Sequence, residues 1–144
     1  MDRPKTITSP ETSIIIVDDT QEYAHILSRI LKKGIGYKQV ESFSSMDEAY
    51  DAISSEPDRF PVVFLDYHFP NGKTGTELLE KLRQNDLLDG RLVFFITAEP
   101  AVQKAIEANH NGAVGVIVKP FSTQALQNLI KRVEHTLKLE QLGA

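Results

Sequence analysis

The chain has 144 residues, which is enough for about one domain with a sizeable buried core. Its 16 basic and 20 acidic residues leave a net charge of −4, which excludes the broad positive field that draws proteins to nucleic acid or anionic membranes. It has no cysteine, and this excludes a disulfide scaffold, a thiolate zinc site and a cysteine nucleophile. No apolar run approaches the roughly 20 residues that span a bilayer, and no signal peptide is recognisable, so we expect a cytoplasmic location.

Composition divides the chain into three parts. Residues 1–12 contain two prolines, several hydroxyl side chains and a single apolar residue, Ile7, beyond the initiator methionine, which predicts a flexible N-terminal tail. A folded domain is expected over residues 13–137. Residues 138–144 are predicted to be a helix extension or a linker.

The first half of the domain alternates strand and helix patterns. The β-branched run Ile14–Val17 predicts a central strand that is buried on both faces. Helical periodicity then predicts a helix that stops before Gly34. Its apolar stripe comprises Tyr23, Ile26, Leu27, Ile30 and Leu31. A weaker peripheral strand at 37–41 and a second helix, capped by Ser45, follow.

The second half continues the same alternation, with strands predicted at 61–65, 91–96 and 114–118. A helix follows each of them, and the last helix begins after Ser122 and keeps apolar residues as far as Leu142. Five strands alternating with five helices predict an α/β fold, a doubly wound parallel sheet with helices on both faces.

Polar residues end four of the five predicted strands. They are Asp18 with Asp19, Asp66, Thr97 and Lys119. Ligands of open α/β sheets bind at the carboxyl ends of the strands, so these side chains are expected to share one crevice.

The chemistry of this set indicates a metal and a phosphoryl group. Two carboxylates about 5 Å apart repel by roughly 3 kcal/mol at an effective dielectric of 20, so three of them need a cation. Oxygen ligands without histidine or cysteine favour Mg²⁺, which commonly completes its shell with phosphate oxygens. Lys119 would neutralise one phosphoryl oxygen, Thr97 would donate to another, and one carboxylate would attack phosphorus.

Each residue alone has a structural explanation. An Asp or Thr after a strand is often a helix cap, and a Lys before a proline is usually a solvated turn residue. The occurrence of all of them at four strand ends favours a site. The histidines at 25, 110 and 135 show no ligand spacing and are expected at the surface.

At this point the sequence resembles the receiver (CheY-like) domain family of two-component response regulators, over about residues 13–137. The resemblance rests on four segments in order: the run 14–19 with its acid pair, Val63–Asp66 followed by Pro70 and Gly75, Ile96–Ala98 and Lys119–Phe121. It implies a flavodoxin-like fold with strand order 2-1-3-4-5.

The resemblance also implies a function and its residues. Asp66 would be the phosphoacceptor, taking a phosphoryl group from a sensor histidine kinase or phosphotransfer protein and signalling by a conformational change. Thr97 and Lys119 would contact the phosphoryl oxygens. The domain would be no enzyme in the usual sense, since it catalyses only its own phosphorylation and dephosphorylation.

The implied metal site uses the same edge of the sheet. Asp19, Asp66 and the main-chain carbonyl of His68 would bind Mg²⁺ directly, and Asp18 would act through a bound water. Two further side chains, His68 and Glu99, are predicted from their positions to tune the lifetime of the phosphoryl group.

Three features depart from the family pattern. The loop from Asp66 to Gly75 is one residue longer than usual in the family. Val116 occupies the position, three before the lysine, where the family normally has an aromatic switch residue. The last helix extends beyond the domain, which favours a linker or a homodimer contact through the last helices.

The downstream protein or output domain is not identified by the sequence, and neither direct nucleic-acid binding nor membrane binding is expected.

One alternative is a degenerate receiver that binds partners without phosphorylation. A haloacid-dehalogenase-like phosphatase would expect Asp-x-Asp-x-Thr, whereas this chain reads Asp66-Tyr67-His68. A nucleotide-binding module would need glycine after the first strand, where none occurs.

Overall fold

The structure, a computed structural model, describes Ile7 and residues 9–109 and 112–142. One parallel sheet of five strands lies at its centre, in the order β2-β1-β3-β4-β5. The strands are β1 (Ser13–Val17), β2 (Gln39–Phe43), β3 (Val62–Asp66), β4 (Leu92–Thr97) and β5 (Gly115–Val118). The helices are α1 (Gln21–Arg29), α2 (Met46–Ser55), α3 (Thr76–Gln84), α4 (Pro100–Asn109) and α5 (Thr123–Gln141). The predicted fold class and strand order are confirmed.

The two faces of the sheet carry separate cores. Ile14 and Ile16 of β1 point to one face and pack in a cluster with residues of α1 and α5. Ile15 and Val17 point to the other face and pack with residues of α2, α3 and α4. Because side chains alternate along a strand, a strand buried on both faces must be apolar at every position. This requirement explains the uninterrupted β-branched run of β1.

The buried face of α1 differs from the predicted stripe. Tyr23 and Ile26 are 43% and 44% exposed, whereas Ala24, Leu27 and Leu31 are buried. The helix is thus rotated so that the small Ala24 faces the sheet and Tyr23 lies toward the edge where the strands end. Positions 24, 27 and 31 have the same helical spacing as the predicted stripe, so periodicity alone did not distinguish the two faces.

The end of α1 is also different from the prediction. The helix continues into a π-helical turn, Ile30–Ile35, and ends at Gly36, whose φ of 110° lies in the left-handed region. A Cβ on Gly34 would lie 2.9 Å from the Thr123 side chain, so glycine permits this turn to approach the start of α5.

Ile7 anchors the described part of the N-terminal segment to the domain. Its side chain is 1% exposed in the core beneath α1 and α5, and its carbonyl accepts a hydrogen bond from the Tyr37 hydroxyl. Burial, with a smaller contribution from Glu134, raises the pKa of Tyr37 to about 12. The polar composition of residues 1–12 did not indicate this contact.

The last helix runs past the core. Leu137 is buried, whereas Leu139 and Leu142 are 42% and 81% exposed. The homodimer contact expected here stays a prediction. His25 and His135 are exposed, and position 110 lies outside the described residues. Within the described part of the chain, no helix is long and apolar enough to cross a membrane.

Arg91 lies at the amino ends of the strands, at the end of the sheet opposite the predicted site. Its side chain is 5% exposed and donates to the main-chain carbonyls of Pro57 at 2.7 Å, Leu87 at 3.4 Å and Arg59 at 3.4 Å. Burial lowers the pKa of Arg91, and the neighbouring Asp58 offsets part of this effect. One guanidinium therefore joins the loops that precede β3 and β4.

We expect Arg91→Met to lower the free energy of unfolding by about 1–3 kcal/mol, because the carbonyls would lose their charged donor. Chemical denaturation measures this change. Arg29→Met removes an exposed arginine from α1 and serves as the matched control. Equal stabilities of the two variants would mean that the cost of burying the Arg91 charge cancels its hydrogen bonds.

Candidate functional site

Four neighbouring strands end at one edge of the sheet and bring the predicted residues together. Val17 pairs with Leu65, and Thr97 pairs with Val118, so β1 and β3 end side by side, as do β4 and β5. Because all strands are parallel, their last residues and the residues directly after them lie at the same end of the sheet. These residues are Asp18, Asp19, Asp66, Thr97 and Lys119.

Three carboxylates lie close together, and two of them face a single ammonium group. One oxygen from each of Asp18, Asp19 and Asp66 lies within 4.8 Å of the other two. The Lys119 Nζ lies 3.4 Å from Asp18 Oδ2 and 3.7 Å from Asp66 Oδ1. Asp18 and Asp66 are buried, and the Lys119 side chain is only 9% exposed, whereas Asp19 is exposed. The cluster thus holds more negative than positive charge in a largely desolvated place.

The pKa of Asp66, the candidate phosphoacceptor, is shifted by its surroundings in this cluster. Burial raises the pKa of the Asp66 carboxyl from 3.8 to about 6, and the neighbouring Asp18 adds to the rise. Lys119 and a main-chain hydrogen bond from His68 act in the opposite direction. Desolvation and like charge together exceed the attraction of one lysine, which is the condition that a divalent cation relieves.

Asp18 also fixes the start of α1. Its Oδ1 accepts a hydrogen bond from the Thr20 main-chain N–H at 2.9 Å, while its Oδ2 faces Lys119. The N-cap residue of α1 is Thr20, so Asp18 holds the turn before the helix and also belongs to the acidic cluster.

Thr97 ties the last two strand ends together. Its side chain is fully buried, and its Oγ1 accepts a hydrogen bond from the Glu99 N–H at 3.1 Å. Its carbonyl accepts from the Lys119 N–H at 2.7 Å. The main chain that carries Lys119 is thus held to the end of β4.

The longer loop after Asp66 is closed at its base. The Gly75 N–H donates to the Tyr67 carbonyl at 2.8 Å, and an isolated bridge joins His68 to Thr74. At the tip of the loop, Asn71 adopts a left-handed φ of 64°. A Cβ at position 75 would lie 2.5 Å from the Asp66 carbonyl oxygen, so glycine is required for this close approach.

His68 and Glu99 meet at the mouth of the site. The His68 Nε2 lies 3.7 Å from Glu99 Oε1, and the two side chains are 47% and 60% exposed. The Tyr67 ring packs edge-on against His68 and Phe95, with centroid distances of 5.1 and 5.6 Å. The two residues selected by position alone are therefore neighbours.

One residue near this site, Tyr23, was not predicted from the sequence. Lys119 Nζ lies 4.0 Å from the centroid of the Tyr23 ring, in the first turn of α1. An aromatic residue within one turn of the acid pair is the available signal, but the apolar spacing of α1 assigned it to the core.

Val116 occupies the position where the family has an aromatic residue. It is 6% exposed and lies in β5 at the floor of a groove of about 540 Å³ between α4 and α5. Gly115 and Leu129 also line this groove. Position 116, which pairs with Phe95 of β4, therefore carries no aromatic side chain.

The donor set fits a magnesium ion. All three candidate groups are carboxylates, the ligands that Mg²⁺ prefers, and the raised pKa of Asp66 indicates uncompensated negative charge. Asp18, Asp19 and Asp66 are the described side chains that could hold it.

Comparison with known proteins agrees with this fold. Residues 14–131 match the family model described as the response regulator receiver domain. The chain therefore belongs to the response regulator receiver domain family, and it is CheY-like.

Similar proteins include chemotaxis proteins. The chain is 32% identical over 124 residues to the chemotaxis protein CheY of Pseudomonas aeruginosa, covering 83% of this chain and 94% of that protein. It is 30% identical over 133 residues to CheY-3 of Vibrio cholerae, covering 90% and 96%. The crystal structure of Vibrio cholerae CheY4 superposes with a TM-score of 0.72 at 28% identity, covering 85% of this chain and 98% of that one.

The raised pKa predicts a pH-dependent stability in metal-free protein. Between about pH 4 and pH 6 the folded state keeps a proton on Asp66 that the unfolded chain has released, so stability falls as the pH rises through this window. Asp66→Asn should remove this fall and raise the free energy of unfolding at neutral pH by on the order of 2 kcal/mol.

Denaturation in the presence of a chelator, at a series of pH values, tests this expectation. Asp51→Asn changes an exposed acid of α2 and is the control. A metal-free Asp66→Asn variant that is no more stable than this control at neutral pH would contradict the assigned electrostatics.

Proposed function

We propose that this receiver domain accepts a phosphoryl group on Asp66, from a sensor histidine kinase or a phosphotransfer protein, in a Mg²⁺-dependent reaction. The observation that carries the proposal is the buried Asp66 carboxylate, which lies in a cluster of three acids and 3.7 Å from the Lys119 ammonium. The proposal places the chain in the cytoplasm, with a downstream protein as the receiver of the signal.

The reaction is a transfer between two covalent phosphoryl compounds. An Asp66 carboxylate oxygen attacks phosphorus, a new P–O bond forms, and the bond from phosphorus to the donor imidazole nitrogen breaks. The electron pair of that bond leaves with the imidazole. Lys119 would neutralise a phosphoryl oxygen, and this role is supported by its Nζ, which lies 3.7 Å from Asp66 Oδ1. Thr97 would donate a hydrogen bond from its hydroxyl to a second oxygen, since Oγ1 serves only as acceptor in its bond from Glu99.

The metal would reduce the repulsion between the attacking carboxylate and the incoming phosphoryl group. Asp19, Asp66 and the His68 carbonyl would hold it directly, and Asp18 would act through water. The Asp18 side chain already accepts from Thr20 and Lys119, which agrees with an indirect role.

The conformational response is proposed to be a graded shift. A change from 1:99 to 99:1 needs about 5.5 kcal/mol, whereas one charge-assisted hydrogen bond from Thr97 supplies roughly 1.5–3 kcal/mol. Val116 offers no aromatic ring to add a second packing change. The shift would therefore pass through the Thr97 loop and α4, which the Thr97–Lys119 main-chain bond connects to β5.

The direct test is intact mass after incubation with acetyl phosphate and Mg²⁺. We expect one phosphoryl increment on the wild-type chain and none on Asp66→Asn or in excess chelator, since Asp66 supplies the attacking oxygen. Asp51→Asn should be labelled like the wild type.

The alternatives give different outcomes in the same assay. A wild-type chain that gains no phosphoryl group would favour the degenerate receiver, which binds partners without phosphorylation. Continuous release of phosphate at the rate of a phosphatase, with no retained phosphoryl group, would favour haloacid-dehalogenase-like hydrolysis.

His68 and Glu99 are proposed to control the lifetime of the phosphoryl group. They meet at the mouth of the site, where the hydrolytic water must approach. His68→Ala and Glu99→Ala should each change the dephosphorylation rate by about threefold or more, a change of at least ~0.7 kcal/mol in barrier height. Decay of the labelled protein, followed by mass spectrometry, measures the rate. Wild-type rates in both variants would rule out this role.

A further inference from the structure

We propose that Tyr23 is a positioning residue that holds the Lys119 ammonium in place when the metal neutralises the carboxylates that otherwise attract it. The proposal rests on the proposed phosphotransfer function. It concerns a residue of α1 whose ring faces the lysine and contacts none of the three acids through a polar atom.

Lys119 needs a partner whose attraction for the ammonium does not weaken when the metal binds. Its Nζ lies 3.4 Å from Asp18 and 3.7 Å from Asp66, and both carboxylates belong to the cluster that would bind Mg²⁺. A cation that neutralises these acids weakens their attraction for the ammonium. With the carboxylates alone, Lys119 would lose its orientation at the stage when the phosphoryl group arrives.

The Tyr23 ring supplies such a partner. The Lys119 Nζ lies 4.0 Å from the ring centroid, within the range of a cation–π interaction. An aromatic face attracts an ammonium but is not a ligand for Mg²⁺, which prefers oxygen atoms. The ring therefore continues to attract Lys119 after the metal has bound.

The ring is fixed relative to the site. Tyr23 lies in the first turn of α1, and the residue before this helix, Thr20, donates its N–H to Asp18 Oδ1 at 2.9 Å. The Lys119 side chain is 9% exposed, so the contact is largely shielded from water, which strengthens it. Tyr23 itself is 43% exposed, as expected for a ring that covers the lysine from the solvent side.

The exposure of Tyr23 argues against a role in folding alone. The buried contacts of α1 are made by Ala24, Leu27 and the following Leu31, and Tyr23 is not part of either core cluster. Its substitution should therefore affect the lysine more than the helix.

The test compares two affinities, measured by calorimetry: that for Mg²⁺ alone, and that for beryllofluoride, a phosphoryl mimic, at saturating Mg²⁺. Tyr23→Leu should weaken beryllofluoride binding about three- to tenfold, the range expected for a lost cation–π contact. Its Mg²⁺ affinity should stay within about twofold of the wild type, because the acids are untouched. Tyr23→Phe should bind like the wild type, since it keeps the aromatic face.

A matched control exists in the same chain. Lys81 Nζ of α3 lies 4.1 Å over the ring of Tyr50 in α2, and neither residue follows the carboxyl end of a strand. Tyr50→Leu removes a similar cation–π contact and should leave beryllofluoride affinity unchanged.

A fluorinated series separates the electrostatic role from packing. Phenylalanine with one, two or three ring fluorines at position 23 keeps its shape but progressively loses the negative potential of its face. A steady fall in beryllofluoride affinity along the series would support the proposal. A flat series, or equal binding by Tyr23→Leu and Tyr23→Phe, would overturn it. Failure of the wild type to bind beryllofluoride would instead reject the proposed phosphotransfer function.

Discussion

The buried carboxylates of Asp18 and Asp66 share one ammonium group, and the site depends on this shortage of positive charge. Lys119 faces both acids at distances of 3.4 and 3.7 Å, and exposed Asp19 completes the cluster. Burial, together with the neighbouring Asp18, raises the pKa of Asp66, and Lys119 offsets only part of this rise. A divalent cation would restore the balance by adding two positive charges, and the oxygens of the phosphoryl group would then serve as further ligands for that cation.

The fold maintains this unfavourable arrangement through rigid surroundings. Two apolar clusters bury both faces of the sheet, and the edge strand ends are tied together by the main-chain bond between Thr97 and Lys119. Gly75 lets the long loop return against the main chain of Asp66. At the opposite edge, Arg91 joins the loops before β3 and β4. Unfavourable electrostatic arrangements at functional sites are commonly retained where packing elsewhere stabilises the fold.

Much of this architecture follows from the sequence because a two-sided sheet imposes a strong pattern. The run Ile14–Val17 and the polar residues at the strand ends were enough to predict the sheet and the acidic crevice. The rotation of α1 was not predictable, since Tyr23 and Ala24 fit similar helical spacings and the sheet selects the smaller side chain. The burial of Ile7 depends on a tertiary contact with Tyr37 that no local pattern encodes.

A crystal structure of the chain grown with Mg²⁺ and beryllofluoride would test the central claim most directly. We expect a metal among Asp18, Asp19 and Asp66, with beryllofluoride on an Asp66 oxygen. The Lys119 Nζ should contact a fluorine while it still lies over the Tyr23 ring. Density for neither ion, with Lys119 unmoved between Asp18 and Asp66, would contradict it.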